Sequence, residues 1–113
     1  LGASPNPDRY SWKAVTSLRR HGHEVTAVGN RGGDIADVHI HTDHPAEPGV
    51  HTVTLYLNPQ RQVDYYDYIF SLSPQRIVFN PGTENPELET LAAERGIETV
   101  EGCTLVMLSI GNY

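Results

Sequence analysis

The sequence predicts an α/β fold, a single domain over residues 1–113 built on a parallel sheet with helices on both faces. Three observations carry this expectation. Short β-branched runs alternate with helix-length segments of about 10–12 residues, and Gly, Pro or Asn marks each change of period. Parallel strands need crossover connections, which the intervening helical segments supply. At 113 residues the chain can bury roughly two-thirds of the surface it exposes when unfolded, enough for one core and not for two.

The elements follow in order. Leu1-Gly2-Ala3-Ser4-Pro5-Asn6-Pro7 is rich in turn formers and reads as a loop that follows a strand, so a first strand is expected upstream of it. Over residues 10–21, Trp12, Val15 and Leu18 recur near helical spacing, Ser11 is placed to cap the start, and Arg19, Arg20 and His21 bring positive charge to the last turn. Gly22 then closes the helix in the left-handed conformation. Residues 24–29 read as a short strand and Asn30-Arg31-Gly32-Gly33-Asp34 as the loop after it. Val38-His39-Ile40-His41 alternates as an edge strand does, and Pro45, Pro48 and Gly49 make a connector.

Residues 52–57 form a strong strand signal stopped by Asn58-Pro59, and residues 61–72 restore a helix with Val63, Tyr66, Ile69 and Phe70 expected to face inward. Arg76-Ile77-Val78-Phe79 is the next strand, and residues 80–85 are a loop. Residues 86–95 are a helix with proline in its first turn and Gly96 as its cap. Residues 97–100 are the last clear strand. The apolar run at 103–110 reads equally as a short buried helix or another strand. This alternation is that of a Rossmann-like domain.

Eight Lys and Arg stand against 14 Asp and Glu, a formal net charge of -6, which argues against nucleic-acid and anionic membrane surfaces. One cysteine, Cys103, excludes an internal disulfide framework and fits a reducing compartment. No apolar run approaches the ~18 residues of a membrane span, and no charged-then-apolar segment opens the chain. The expectation is a soluble, cytoplasmic protein.

In an open parallel sheet, ligands bind outside the carboxyl ends of the strands, so the loops there hold the candidate site. Gly2-Ala3-Ser4 lets backbone N–H groups approach a ligand closely, and the helix that follows offers its positive dipole end to a phosphate. Arg31, after Asn30, is placed to pair with a phosphate in a forked geometry. The third loop gives Tyr56, Asn58 and Pro59, the fourth Asn80, Pro81, Gly82, Thr83 and Glu84. Any one of these loops alone also reads as ordinary turn chemistry; four on one edge favour a nucleotide-phosphate site. The first loop departs from G-x-G-x-x-G, because Pro5 and Pro7 fall where that pattern begins a helix, and this weakens an ordinary NAD site.

The first loop, Tyr56-Leu57-Asn58-Pro59, Phe79-Asn80-Pro81-Gly82-Thr83-Glu84-Asn85 and Glu101-Gly102-Cys103-Thr104-Leu105-Val106-Met107-Leu108 together resemble the small stand-alone CoA-binding domain proteins. That family is similar to the CoA-binding domain of the succinyl-CoA synthetase α subunit. The resemblance covers nearly the whole chain, and the last two motifs are the specific ones. It implies a Rossmann-like fold that binds coenzyme A or an acyl-CoA, with Gly2, Ala3, Ser4 and Arg9 by the phosphates and Asn30 and Arg31 flanking the adenosine 3′-phosphate or ribose. It further implies that Tyr56, Leu57, Asn58 and Pro59 line the adenine and pyrophosphate cleft, with Asn80, Gly82, Thr83 and Glu84 towards the pantetheine arm. Many members carry proline after the asparagine of the second loop, where this chain has Asn30-Arg31.

Other features have two readings each. Cys103 near a bound thiol suggests a mixed disulfide or acyl transfer, yet a lone cysteine before an apolar run is more often a buried small residue. His39, His41 and His44 invite a metal, but an exposed polar edge strand explains the same letters, and no metal ligands are assigned. Tyr65, Tyr66 and Tyr68 cannot all face one core, and the packing reading is preferred to a partner surface. With no catalytic constellation, the expected function is a stand-alone, non-catalytic binding or regulatory module. The alternatives are a subunit of an acyl-CoA-utilising enzyme and a binder of another nucleotide such as NAD; a protein partner or homo-oligomer stays open.

Overall fold

The computed structural model describes residues 1–113, and the chain divides into two units: Leu1–Pro45 with Thr104–Tyr113, and Ala46–Cys103. In the first unit, helix α1 (Tyr10–Arg20) buries Ser11, Ala14, Val15 and Leu18, the i, i+3, i+4, i+7 stripe of an amphipathic helix. Its N-cap is the extended residue Arg9, which makes no side-chain capping bond. Ser11 therefore does not cap the start as expected: it lies inside the first turn and is buried, whereas a cap must stand at the extended residue before the turn. Gly22 does take the left-handed conformation, φ +83°, at the helix end.

Strands β1 (Ala27–Val28), β2 (Gly33–Ile35) and β3 (Val38–His41) form a three-stranded sheet in the order β1-β3-β2. β1 runs parallel to β3, pairing Ala27 with Ile40 and Val28 with His41, while β2 is antiparallel to β3. Two expectations change here. β3 is the central strand rather than an edge, and residues 33–35 are a strand rather than part of a loop. The reason is a tight hairpin turning at Ala36 and Asp37, with Ala36 at φ +53°, a conformation that Gly or Asn usually announces. β1 is shorter than residues 24–29 because β3 pairs only with its Ala27 and Val28. Ala3, Val15, Ala27, Ile35, Val38 and Ile40 form the core, with Trp12 and Val25 at its margin. The apolar run near the end is helix α5 (Thr104–Ser109), which packs on α1, burying Met107 and Leu108 and leaving Val106 exposed.

In the second unit, β4 (Thr52–Leu55), β5 (Arg76–Phe79) and β6 (Glu98–Glu101) make an all-parallel sheet in chain order. Its carboxyl ends are flush, with Leu55, Phe79 and Glu101 in register. Ile77, Val78 and Phe79 are fully buried, so β5 is covered on both faces, as parallel strands usually are. Helices flank the sheet: α2 (Pro59–Gln62), a 3-10 turn (Val63–Tyr65) and α3 (Tyr66–Ser71) lead from β4 to β5, and α4 (Pro86–Glu94) leads from β5 to β6.

The single helix expected over 61–72 is thus interrupted, and Val63 is 53% exposed rather than inward. The tighter 3-10 wind resets the stripe, so that Gln62, Tyr68 and Ile69 are the buried positions. Tyr65 and Tyr66 are half-buried, which separates the three tyrosines as one face of a helix must.

Candidate functional site

In the first unit two loops meet in direct backbone contact. The amides of Gly2 and Ala3 both donate to the Val28 carbonyl, at 2.9 and 3.0 Å, which pins the first loop to the exit of β1. Gly29 is buried there, and any Cβ on it would collide with the Ala3 carbonyl oxygen. A Cβ on Gly33 would stand 2.9 Å from the Pro5 side chain. The first loop also folds on itself. Ser4 Oγ accepts from the Asn6 amide at 3.2 Å, Asn6 Oδ1 from the Asp8 amide at 3.0 Å, and the Asn6 carbonyl from the Arg9 amide at 3.0 Å.

This turn delivers the chain into α1 with no side-chain cap and no acidic residue in the first turn, so neither a cap nor a first-turn carboxylate offsets the positive end of the helix. By contrast Asn58 caps α2 and Asn85 caps α4, whose first turn also carries Glu87 and Glu89. Arg9, Asn30 and Arg31 are exposed, Gly2 and Ser4 are half-buried, and Ala3 is buried. An uncapped helix start, small residues at closest approach and two exposed guanidinium groups fit a phosphate-bearing cofactor.

In the second unit the loop side chains are largely spent on the loops themselves. Asn80 is buried and donates from Nδ2 to Thr54 Oγ1 at 2.7 Å and to the Leu55 carbonyl at 2.9 Å, joining β4 to β5 at their ends. Thr83 Oγ1 donates to the Asn80 carbonyl at 2.7 Å, and Glu84 Oε1 accepts from the Gly82 amide at 2.9 Å, where Gly82 sits at φ +89°. Asn58 Oδ1 accepts from the Arg61 amide at 3.0 Å. Leu57 is buried, Tyr56 and Pro59 are half-buried, and Asn58, Gly82 and Glu84 are exposed.

Beneath these loops lies a network that the sequence reading did not single out. Gln62, fully buried, donates from Nε2 to the carbonyls of Leu57 and Thr83, both at 2.8 Å, and accepts at Oε1 from Asn85 Nδ2 at 2.9 Å. Asn85 Nδ2 also donates to the Tyr66 hydroxyl at 2.8 Å, which donates to Glu87 Oε1 at 3.0 Å. Burial raises the Tyr66 phenol above its ordinary pKa, and Glu87 adds to this while the Asn85 bond opposes it. Periodicity alone does not reveal this network, because the 3-10 turn at Val63–Tyr65 breaks the regular spacing that points to Val63 rather than Gln62.

Several other groups are placed without forming a further centre. Glu89 is pushed above the ordinary carboxylate range, chiefly by a hydrogen bond with Glu101, then by desolvation and the charges of Glu101 and Glu84. His39 and His41 share the outer face of β3 with ring centroids 5.6 Å apart, and their Nδ1 atoms lie 3.1 Å from Asp34 Oδ1 and 3.8 Å from Asp43 Oδ1. No group of three or more His, Cys, Asp or Glu side chains is assembled to hold a metal. Cys103 is a half-buried free thiol.

An open pocket of about 260 Å³ in the first unit is lined by Arg19, Asp37, His39 and His41 and by residues 24–26, which lead into β1 rather than leave it. Its guanidinium is already engaged: Arg19 donates to Asp37 at 2.9 and 2.6 Å and to the His23 carbonyl at 2.8 Å, and its hydrogen bonds hold the Asp37 carboxyl below its usual pKa. The pocket therefore has no unpaired cation to offer an anion. No helix is long and apolar enough to cross a membrane.

The sequence matches the CoA binding domain family over residues 1–109. No curated protein matches it. Among solved structures it is similar to a crystal structure of an uncharacterized protein, with 52% identity and a TM-score of 0.97 over 100% of this chain and 93% of the other. A Thermus thermophilus structure shares the fold at 22% identity, with a TM-score of 0.87 over 100% of this chain and 87% of that one. So does a conserved hypothetical protein from Pyrococcus furiosus, at 21% identity and a TM-score of 0.80, covering 93% of this chain and 92% of that one. With a family match that spans both units and ends four residues short of Tyr113, this chain belongs to the CoA-binding domain family.

Proposed function

We propose that this protein binds coenzyme A or an acyl-CoA at the carboxyl ends of its parallel strands, as a stand-alone binding or regulatory module without catalysis of its own. The observation that carries the reading is the family match over residues 1–109, and the uncapped start of α1 supports it as a phosphate seat. Gly2, Ala3 and Ser4 let the phosphates approach the backbone closely, the Gly2 and Ala3 amides themselves being held by the Val28 carbonyl, with Arg9 alongside. Arg31 and Asn30, exposed on the loop beyond Gly29, take the adenosine 3′-phosphate or ribose.

In the second unit, Tyr56, Leu57, Asn58 and Pro59 serve the adenine and pyrophosphate, and Asn80, Gly82, Thr83 and Glu84 the pantetheine arm. Leu57, Asn80 and Thr83 are buried and hydrogen-bonded within the unit, so they act by shaping the loops and presenting backbone. That commitment of side chains to structure favours binding over acid–base or nucleophilic chemistry. A reducing, cytoplasmic setting fits the free thiol of Cys103.

Calorimetric titration with CoA, 3′-dephospho-CoA and NAD tests the reading. CoA is expected to bind best and dephospho-CoA about tenfold more weakly, in line with loss of a charge-assisted hydrogen bond. Arg31→Ala is expected to erase the difference between those two. If none of the three binds, or NAD binds as tightly as CoA, the proposal fails.

A further inference from the structure

The two loops of the second unit that the proposed function assigns to the cofactor are tied to each other beyond the strand ends by one buried side chain, Gln62. Gln62 spends one amide hydrogen on the carbonyl of Leu57, after β4, and the other on the carbonyl of Thr83, after β5, both at 2.8 Å. Its Oε1 is held by Asn85, so the amide cannot turn over without breaking three bonds together. The side chain is fully buried, so water cannot replace either carbonyl if one loop moves away. The other bonds of these loops are local, as between Thr83 and Asn80 or Gly82 and Glu84, or lie lower at the strand ends, as between Asn80 and Leu55.

We infer that Gln62 is a positioning residue that makes the loops after β4 and β5 act as one element. A ligand group held at residues 56–59 then orders residues 82–84, and the reverse holds equally, because coupling between two sites is reciprocal. The inference rests on the CoA reading, in which the adenosine end meets the first of these loops and the pantetheine arm the second. Positive coupling between the two halves of the cofactor is its consequence.

Adenosine 3′,5′-bisphosphate and pantetheine are the probes, each titrated alone and with the other saturating. In the native protein each fragment is expected to tighten the other about fivefold or more. Gln62→Met, which keeps the bulk and loses every hydrogen bond, is expected to abolish that coupling. Gln62→Glu loses both donated bonds at neutral pH, and acidification is expected to restore part of the coupling as the introduced carboxyl gains a proton to donate; a merely space-filling side chain would give no such recovery. Should the variants not fold, hydrogen exchange on the native protein carries the test: the bisphosphate alone is expected to slow exchange at residues 82–84 as well as at 57 and 58.

Fragments that bind independently in the native protein, coupling that survives Gln62→Met, or protection confined to the first loop would overturn the inference and leave the CoA reading standing. If neither the fragments nor CoA bind the native protein, the reading falls and the inference with it.

Discussion

At Gly29 a single hydrogen in place of a side chain decides whether the first loop can lie against the exit of β1. Its backbone runs so close to Ala3 that a methyl group would occupy the space of the Ala3 carbonyl oxygen, and that contact is with backbone, which cannot rotate away. Gly29→Ala is therefore expected to displace residues 1–5, destabilise the protein by about 1–3 kcal/mol and weaken CoA binding together with it. Urea unfolding and calorimetry on the same variant check both, and an unchanged CoA affinity would separate the first loop from the ligand. Asn80, Thr83 and Gln62 teach a complementary point. The sequence reading assigned Asn80 and Thr83 by motif and did not single out Gln62, yet all three are buried structural donors. Letters alone show that a loop is polar, but not whether its side chains face outward or hold the loop from within.

The elements were legible where periodicity and punctuation agreed. α1, β5 and α4 fall close to their expected bounds because apolar spacing, Asn85-Pro86 and the glycines after the helices all point the same way. The hairpin β2–β3 was not legible, because its turn is made by Ala36 at φ +53° with no Gly or Asn to mark it. That mismatch is itself testable. A left-handed alanine costs about 1–2 kcal/mol, part of which glycine returns through the entropy of the unfolded chain, so Ala36→Gly is expected to stabilise the protein by about 0.5–1 kcal/mol. A lower urea midpoint in that variant would contradict the strain.

Within the second unit, α4 and β6 bring Glu89 against Glu101, which raises the Glu89 pKa. A carboxyl whose folded pKa lies above its unfolded one holds its proton to higher pH in the native state. Stability is then fullest below the unfolded value and declines as pH rises through the folded one. Glu89→Gln is expected to be more stable than the parent at pH 7, with the gap closing on acidification below the carboxylate range. Thermal melts across that range check the sign.

On the scale of the whole molecule the apparent contradiction is between a net charge of -6 and a polyanionic ligand. Two fields of different reach resolve it. The amides of the α1 start, Arg9 and Arg31 act at hydrogen-bonding range, whereas the excess of carboxylates acts over the whole surface. Salt treats the two unequally. The Debye length shrinks from about 30 Å at 0.01 M to about 8 Å at 0.15 M, which removes most of the diffuse repulsion and leaves much of the short-range attraction. CoA binding by the parent protein is therefore expected to change little between these conditions, the loss of attraction being offset by the loss of repulsion. Arg31→Ala takes away local attraction and adds to the net negative charge, so its CoA affinity is expected to rise with salt although it stays below the parent's throughout. Dissociation constants measured for both proteins at the two ionic strengths decide it: a variant with the same salt dependence as the parent would mean that Arg31 does not belong to the short-range field at the ligand.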